Sequence, residues 1–193
     1  MNIPQENQKT RKLSMVYLMC VMVGIAFVSW SPTVRAKALS LEEGQPIPVA
    51  ILIGKEGESI SLDTLKGQVT LVSIVPQLNT PVCDEQTHRF SEQNEGLDEL
   101  IAFVTMSTNT HTDQAKFANE AKIHNMTFLS DAPDFHFGRK TGLLLDEVDI
   151  LHRAVLVLDE NSIIRYVEIV PMGQLPNFEQ AFKAVRHLLP QSS

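Results

Sequence analysis

The amino-acid sequence predicts an α/β fold in which a mixed β-sheet has helices on both faces. Strand-length apolar runs alternate with helix-length stretches through the middle of the chain, which is typical of parallel strands joined by crossover helices. Two further apolar runs near the C-terminus are separated only by a turn-forming segment, which indicates an antiparallel hairpin at one edge of the sheet. With 193 residues, 44% of them hydrophobic, the chain is long enough for one such domain plus an appendage.

The appendage is predicted at the N-terminus, over residues 1–38. Basic residues within 9–12 precede an uncharged, largely apolar stretch over 13–30, and alternating small residues end at Ala38. This order is typical of a secretory signal that is cut after Ala38, but the apolar stretch also approaches the about 18 residues that can span a bilayer. We therefore expect a signal peptide or an uncleaved membrane anchor, and an exported domain over 39–193 that is periplasmic or anchored facing the periplasm.

The predicted domain over 39–193 is strongly acidic. Five of the 16 basic residues of the chain but only one of its 23 acidic residues lie within 1–38, so the net charge of the rest is −11. A negative surface repels nucleic acid and anionic lipid. We therefore expect no nucleic-acid partner, and a membrane contact only through the N-terminal segment if that segment stays uncleaved.

Cys83 is the only thiol of the predicted domain, because the other cysteine, Cys20, lies inside the apolar N-terminal stretch. No disulfide can therefore form within one exported chain. A lone thiol in an oxidising compartment is a liability unless it is used. A buried, inert cysteine is the alternative, but we expect an exposed thiol, because Cys83 lies at a strand-to-helix corner beside charged residues.

The first elements are predicted as a hairpin followed by a strand–helix–strand unit. The apolar triplet 51–53 and the segment 60–62, with apolar residues at both ends, flank a polar turn, which indicates an N-terminal β-hairpin. Continuous apolar runs at 69–75 and 100–106 are typical of buried strands. The stretch 84–100 between them has the mixed composition of a surface helix, so we expect the two strands to be parallel.

The second half of the chain continues the alternation and then ends in a hairpin and a helix. Helical stretches show apolar residues three or four positions apart, and the strands are continuous apolar runs. The predicted elements are a helix over 112–124, a strand over 126–129, a short helix over 134–141, strands over 154–158 and 163–170, and an amphipathic helix over 177–189.

The motif Pro76-x-x-x-Thr80-x-x-Cys83 follows the first continuous strand and places a proline, a hydroxyl and a thiol at fixed spacing. Cys83 falls in the first turn of the next helix. Unpaired N–H groups and the positive end of the helix dipole favour a thiolate there, which is the nucleophilic form of cysteine. Arg153 lies far downstream, at the start of a predicted strand, and supplies a permanent positive charge.

This motif and Arg153 resemble the active site of the peroxiredoxin family, and the segments 75–83 and 152–161 resemble its thiol peroxidase branch in particular. The resemblance covers residues 39–189. It implies a thioredoxin-like fold and a thiol peroxidase that reduces hydrogen peroxide and organic hydroperoxides through a cysteine sulfenic acid. It implies no cofactor, and the histidines lack the spacing of metal ligands, so we expect no metal.

Each residue of the motif has a chemical role in this interpretation. Cys83 attacks the terminal oxygen of the hydroperoxide. The Thr80 hydroxyl donates to the peroxide and accepts from its other oxygen, and Arg153 stabilises the thiolate and the charge that develops on the leaving oxygen. The ring of Pro76 shields the sulfur from water. The alternative for Arg153 is a surface ion pair with Asp149 or Glu147.

Two departures from the thiol peroxidase branch affect the prediction. Ala118 stands where the branch usually has a second cysteine, and Asn79 stands where it commonly has an aspartate. We expect the change at Asn79 to be mild. The change at Ala118 means that an external thiol must resolve the sulfenic acid on Cys83, whether from a thioredoxin-like protein, a small thiol or a second copy of the chain. A homodimer is expected by analogy with related domains.

Two other functions compete with the peroxidase. A thiol–disulfide oxidoreductase would use the same fold, but the sequence has Thr80 where the first cysteine of a Cys-x-x-Cys pair would stand. A catalytically retired thioredoxin-like domain that binds partners or acts as a chaperone is the remaining alternative, because the second cysteine is missing. The joint presence of Pro76, Thr80, Cys83 and Arg153 argues against it.

Overall fold

Residues 40–190 are described by the structure, which is a computed structural model. The predicted signal peptide or anchor over 1–38, including Cys20, lies outside these residues and stays a prediction. Within 40–190, no helix combines the length and the apolar character that a membrane crossing requires.

Nine strands and four α-helices organise residues 40–190. The strands are β1 (Ile51–Ile53), β2 (Ser59–Ser61), β3 (Thr70–Ile74), β4 (Ala102–Ser107), β5 (Thr127–Ser130), β6 (Leu144–Leu145), β7 (Ile150–Leu151), β8 (Ala154–Leu158) and β9 (Ile164–Ile169). The helices are α1 (Pro81–Glu92), α2 (His111–Ala121), α3 (His136–Thr141) and α4 (Phe178–Leu188).

Seven of these strands form one sheet in the order β2-β1-β5-β4-β3-β8-β9. Its centre is parallel, because β3 pairs with β4 and β4 with β5 in the same direction. Both edges are antiparallel: β1 and β2 form the N-terminal hairpin on one side, and β8 and β9 form a hairpin on the other. The predicted mixed sheet with a parallel centre and an N-terminal β-hairpin is therefore confirmed.

Alternate residues of β3 face opposite sides of the sheet, as the two-residue period of a strand requires. Leu71 packs with Phe90 of α1 and Phe182 of α4 on one face. Val72 packs with Phe137 of α3 on the other. Burial of side chains of this size stabilises the fold by about 1.5–3 kcal/mol each. Helices therefore cover both faces of the sheet, as the sequence predicted.

Helix α1 begins where the sequence predicted, with Cys83 in its first turn, but ends earlier. Pro81 is its first residue, where the missing N–H costs no hydrogen bond. The helix stops at Glu92 because a turn follows, in which the Asn94 side chain accepts from the Gly96 N–H at 3.0 Å and Gly96 takes a φ of 78°. The predicted continuation of the helix is wrong, and a short 3-10 helix, Leu97–Glu99, occupies this segment.

The two-stranded sheet of β6 and β7 has no counterpart in the sequence prediction. Each strand has two residues, which is too short for any periodicity to show. The chain just after it is fixed by a hydrogen bond from the His152 N–H to the Leu143 carbonyl at 2.7 Å. This bond holds the residue directly before Arg153 in place.

Candidate active site

Cys83 is the third residue of α1, in the first turn after β3. Thr80 occupies the N-cap position with an extended backbone, φ −112° and ψ 145°, but its side chain makes no capping hydrogen bond. The first helical hydrogen bond runs from the Asp84 N–H to the Thr80 carbonyl at 2.9 Å. The N–H groups of Val82 and Cys83 precede this bond, so they are left for other acceptors.

The Thr80 hydroxyl turns toward Cys83 instead of capping the helix. Its Oγ1 donates to the Cys83 Sγ at 2.9 Å and lies 3.1 Å from the carbonyl oxygen of Gln77. A hydroxyl has one hydrogen, so it donates to one of these acceptors at a time and keeps its lone pairs for an incoming donor. Thr80 is half-buried, which leaves this oxygen reachable from solvent.

Arg153 reaches the same sulfur from the loop between β7 and β8. Its Nη2 donates to the Cys83 Sγ at 3.1 Å, and the side chain is only 2% exposed. Nη1 donates to Gln86 Oε1. The backbone of Arg153 is held as well, because its carbonyl accepts from the Val170 N–H at 3.0 Å. A buried guanidinium with two side-chain acceptors is fixed in both position and orientation.

The alternative that Arg153 forms a surface ion pair is wrong. Within residues 40–190, no carboxylate lies within bridging distance of Arg153, and Asp149 is exposed on the loop between β6 and β7. The guanidinium points inward because the sulfur and the Gln86 amide are its acceptors.

Gln86 was missed by the sequence interpretation. It lies one helical turn after Cys83, is fully buried, and donates from Nε2 to the Ser73 Oγ of β3 at 2.8 Å. Its spacing of three residues from Cys83 places both side chains on one face of α1. That spacing was the feature of the sequence that could have identified Gln86. The residue matters chemically because its amide is buried in the first turns of the helix.

Comparison with known proteins assigns the family. The family model described as Redoxin matches residues 42–182. The chain is 34% identical over 156 residues to a thiol peroxidase of Staphylococcus epidermidis, which covers 80% of this chain and 94% of that relative. It is 34% identical over 147 residues to a thiol peroxidase of Bacillus subtilis, which covers 76% of this chain and 87% of that relative.

The chain belongs to the peroxiredoxin family, in its thiol peroxidase branch. A solved structure of a peroxiredoxin-like protein from Aquifex aeolicus aligns with a TM-score of 0.71 at 29% identity, over 77% of this chain and 88% of that one. The predicted thioredoxin-like α/β fold is confirmed by this likeness and by the sheet order.

The thiol of this peroxiredoxin is buried, which corrects the expectation of an exposed cysteine. Cys83 is 1% exposed and packs with Val75, Leu78, Ile123 and Phe128. The third position of α1 faces the sheet, so the sulfur points to the inside of the corner while the charged neighbours point outward. The apolar surroundings exclude water from the sulfur and strengthen the hydrogen bonds that it accepts.

The acidic residues next to the thiol face solvent, and each lies near a histidine or arginine side chain of the same helix. The carboxylate of Asp84 lies 3.6 Å from His88 Nε2, and that of Glu85 lies 4.0 Å from Arg89 Nη1. These exposed pairs contribute little to stability. They do, however, place the negative charge of the first turn on the side of the helix away from Cys83.

Ala118 of α2 packs against the same cluster as Cys83. Ala118, where the resemblance predicts the second cysteine of the branch, is therefore close to the thiol in this peroxiredoxin, but it holds a methyl group. Cys83 is the only cysteine among residues 40–190 and it is free. No cluster of three or more potential metal ligands occurs in the same part of the chain.

Pro76 is the second residue after β3 and is buried. Its carbonyl accepts from the Thr108 hydroxyl at 3.4 Å, and the next turn is held by the Leu78 N–H, which donates to Asn109 Oδ1 at 2.9 Å. These bonds tie the loop before α1 to the end of β4. The shielding of Cys83 by the Pro76 ring stays a prediction.

Proposed function

We propose that this peroxiredoxin reduces hydrogen peroxide and organic hydroperoxides at Cys83. The observation that carries the proposal is the pair of donors on one buried sulfur, Thr80 Oγ1 at 2.9 Å and Arg153 Nη2 at 3.1 Å. Both hydrogen bonds strengthen when the acceptor is negative, so together they favour the thiolate over the thiol.

In the first step, the Cys83 thiolate attacks the terminal oxygen of the hydroperoxide. A sulfur–oxygen bond forms as the oxygen–oxygen bond breaks, and the sulfur passes two electrons to the peroxide. The attacked oxygen keeps its hydrogen and becomes the hydroxyl of a sulfenic acid. The leaving oxygen takes a proton from solvent and departs as water or an alcohol.

The surrounding donors act on the peroxide as well as on the sulfur. As the sulfur bonds to the peroxide, Thr80 Oγ1 can donate to the attacked oxygen instead of to the sulfur. The Arg153 guanidinium stabilises the charge on the leaving oxygen. The backbone N–H of Cys83 precedes the first helical hydrogen bond and adds a further donor. In this proposal the buried Pro76 limits access of water to the sulfur.

An external thiol resolves the sulfenic acid. Its sulfur attacks Cys83 Sγ, the hydroxyl leaves as water, and a mixed disulfide remains. A second thiol then attacks the external sulfur, which returns Cys83 to the thiol and releases a disulfide made of the two reductant thiols. Ala118 supports an external source of the resolving thiol. The resemblance predicts the second cysteine of the branch at this position, and Ala118 has only a methyl group there.

The test is peroxide consumption by the purified full-length protein with dithiothreitol as the reductant. We expect catalytic turnover with the unchanged protein and none above background with Cys83→Ser. Equal rates for the two proteins would contradict the proposal and favour a retired binding domain. That alternative is not favoured here, because the donors that a thiolate needs are all in place around Cys83.

A homodimer and export of the domain are further parts of the proposal. Light scattering on the purified protein tests the first, and a mass of one chain would refute it. For the second, fractionation of cells that produce the full chain tests where it resides, and its N-terminal sequence distinguishes cleavage after Ala38 from an uncleaved anchor. Recovery of the uncut chain in the soluble cytoplasm would refute export.

A further inference from the structure

We propose that a cavity between α2 and the N-terminal hairpin binds the external thiol that resolves Cys83, and that this reductant is a small thiol with a hydrogen-bond donor and a carboxylate. The inference rests on the proposed peroxidase function and deepens it, because it names the class of the reductant and the place where it binds. The observation that carries it is the buried amide oxygen of Gln114, which lines the cavity and has no hydrogen-bond partner among residues 40–190.

The cavity has a volume of about 340 Å³, within the range of about 300–1,000 Å³ that is typical of small-molecule sites. It is lined by the hairpin of β1 and β2, by α2, and by the segment that leads into β5. Its buried lining residues besides Gln114 are Ile123 and Phe128, which are both apolar. Polar residues, Lys55 and His124 among them, are exposed at its rim. The cavity therefore has the size and the mixed lining of a site for a small organic molecule.

The orientation of the Gln114 amide follows from its partners. Its Nε2 donates to the Leu129 carbonyl of β5 at 3.0 Å and to the Ser107 Oγ of β4 at 3.0 Å. A carbonyl oxygen only accepts, so the nitrogen end of the amide must face Leu129. Both N–H groups are thereby used on the sheet. Oε1 is the polar atom of this side chain that remains for an occupant of the cavity.

A donor on the occupant would satisfy Gln114. The side chain is 1% exposed, and a buried acceptor that lacks a donor is costly to the fold. An N–H or O–H group of a bound molecule would remove this cost. The thiol compound is therefore expected to place such a group against Oε1.

The charge at the rim favours a carboxylate on the occupant. No carboxylate of residues 40–190 lies within bridging distance of Lys55. Glu58 also lines the cavity, but its carboxylate accepts from the Glu56 N–H at 2.8 Å within the hairpin. A carboxylate of the bound molecule can pair with Lys55, and solvent exposure keeps the contribution of this pair small.

The cavity and the buried thiol share a wall. Ala118, Ile123 and Phe128 line the cavity and also pack in the cluster that contains Cys83. Ala118 stands where the resemblance predicts the second cysteine of the branch. A small thiol bound against its methyl group therefore brings an external sulfur to the place from which an internal one would act.

The bound thiol resolves the sulfenic acid by a balanced exchange. Its sulfur bonds to Cys83 Sγ, the sulfur–oxygen bond breaks, and the proton of the thiol leaves with the hydroxyl as water. A second molecule of the same thiol attacks the outer sulfur of the mixed disulfide. This step restores the Cys83 thiol and releases the disulfide of two reductant molecules. Because Cys83 is 1% exposed, side chains of the shared wall must move aside before the two sulfurs meet.

The experiment measures the second-order rate constant at which small thiols resolve preformed sulfenic acid on Cys83. N-acetylcysteine carries an amide N–H and a carboxylate, N-acetylcysteamine lacks the carboxylate, and mercaptopropionate lacks the N–H. The full chain is used unchanged, with Gln114→Met, which keeps the size of the side chain and removes the acceptor, and with Lys55→Met. Each variant is compared with the unchanged protein for the same thiol, so the intrinsic reactivity of the thiols cancels.

We expect Gln114→Met to lower the constant by about tenfold for N-acetylcysteine and N-acetylcysteamine, and by less than about twofold for mercaptopropionate. Lys55→Met should lower the constant for N-acetylcysteine by about threefold and leave that for N-acetylcysteamine in place. An equal effect of Gln114→Met on all three thiols, or no effect on any, would overturn the proposal. An equal effect of Lys55→Met on the two acetylated thiols would refute the part of the carboxylate.

Ala115→Leu decides the matter if thermal unfolding shows that Gln114→Met does not fold. Ala115 lines the cavity and is not part of the Cys83 cluster, whereas Ala121 packs on that cluster and does not line the cavity. We expect Ala115→Leu to slow resolution by N-acetylcysteine by about tenfold, because it misplaces the bound thiol. Ala121→Leu is the matched control, and an equal or greater loss with it would overturn the proposal.

Binding of N-acetyl-S-methylcysteine, which has no free thiol, tests the cavity apart from any peroxidase chemistry. We expect it to shift the backbone amide NMR signals of Ala115 and Ala118, and unchanged signals at the lining residues would overturn the site. Turnover with dithiothreitol tests the proposed function by itself. A protein that turns over with dithiothreitol but responds to no change at Gln114 or Ala115 would refute the site alone, so the two failures are distinguishable.

Discussion

The guanidinium of Arg153 lies 3.1 Å from the sulfur of Cys83, although 70 residues separate them in the chain. The sheet brings them together. Strands β3 and β8 are antiparallel with Ile74 opposite Ala154, so the end of one strand lies beside the start of the other. The loop that leads into α1 and the residue before β8 must then meet at the same end of these two strands.

Removal of the guanidinium should slow the reaction with peroxide strongly. We expect Arg153→Met to lower the second-order rate constant for hydrogen peroxide by about 100-fold, because the leaving oxygen loses its charged donor. Arg153→Lys should fall between, since an ammonium keeps the charge but cannot bond Gln86 and the sulfur in one plane. Rapid-quench kinetics measure the constants, and an Arg153→Met rate within about twofold of the unchanged protein would refute this role.

The hydroxyl of Thr80 should matter through its oxygen rather than its shape. We expect Thr80→Val, which has nearly the same volume, to slow the same reaction by about 100-fold. Thr80→Ser keeps the hydroxyl and serves as the control, with a rate close to that of the unchanged protein. If valine and serine behave alike, the contact between Thr80 and Cys83 has no part in the chemistry.

A thiol placed at position 118 should resolve the sulfenic acid within the chain. After an equimolar amount of hydrogen peroxide, we expect Ala118→Cys to lose two hydrogens and to form a disulfide between residues 83 and 118, because Ala118 packs on the Cys83 cluster. Asn119→Cys places the thiol on the exposed side of α2 and should form no such bond. Disulfide mapping by mass spectrometry distinguishes them, and absence of the 83–118 disulfide would contradict the expectation.

Asp131 should make the stability of the fold depend on pH. Its carboxylate accepts from the N–H groups of Phe137 and Gly138 at 2.8 Å each, at the start of α3. Burial raises the pKa of Asp131 above its ordinary value of 3.8, against the opposite effect of these two hydrogen bonds. The folded state therefore binds the proton more tightly than the unfolded chain does. This contribution to stability is full below pH 3.8 and is lost as pH rises through the folded pKa.

Asp131→Asn removes the titrating carboxyl group. It also makes an amide N–H face one of the two backbone N–H donors, so two donors oppose each other. We expect it to lower the free energy of unfolding by about 2 kcal/mol. The difference from the unchanged protein should shrink as pH rises above 3.8. Urea unfolding over a pH series measures it, with the exposed Asp134→Asn as control. A difference that grows with pH would show that the sign is wrong.

Elements with a clear period or a strong local signal were predictable from the sequence. The strands at 69–75 and 154–158 were found because they are continuous apolar runs, and the last helix because its apolar residues form one stripe. The end of α1 was not, because it depends on the side chain of Asn94 binding the N–H of Gly96 rather than on composition. The strands β6 and β7 are too short to have a period.

Some features of the site were likewise predictable from the local sequence, and others were not. Proline at the first position of a helix fixes the place of Cys83 in the first turn, which local sequence reveals. The burial of Cys83 does not follow from its neighbours, because it depends on Ile123 and Phe128, which come from a distant part of the chain. The contact between Gln86 and Arg153 was not predictable either. They are 67 residues apart, and only the antiparallel pairing of β3 with β8 makes them neighbours.

The most direct test of the account is whether Cys83 itself reacts rapidly with peroxide. The reduced full-length protein is mixed with hydrogen peroxide and then with a sulfenic-acid trap at a series of short times, and the Cys83 peptide is quantified against Cys83→Ser. We expect trapped sulfenic acid on Cys83 at a rate at least about 100-fold above that of free cysteine, because preorganised donors stabilise the transition state. A rate equal to that of free cysteine would contradict it and leave a binding role as the better explanation.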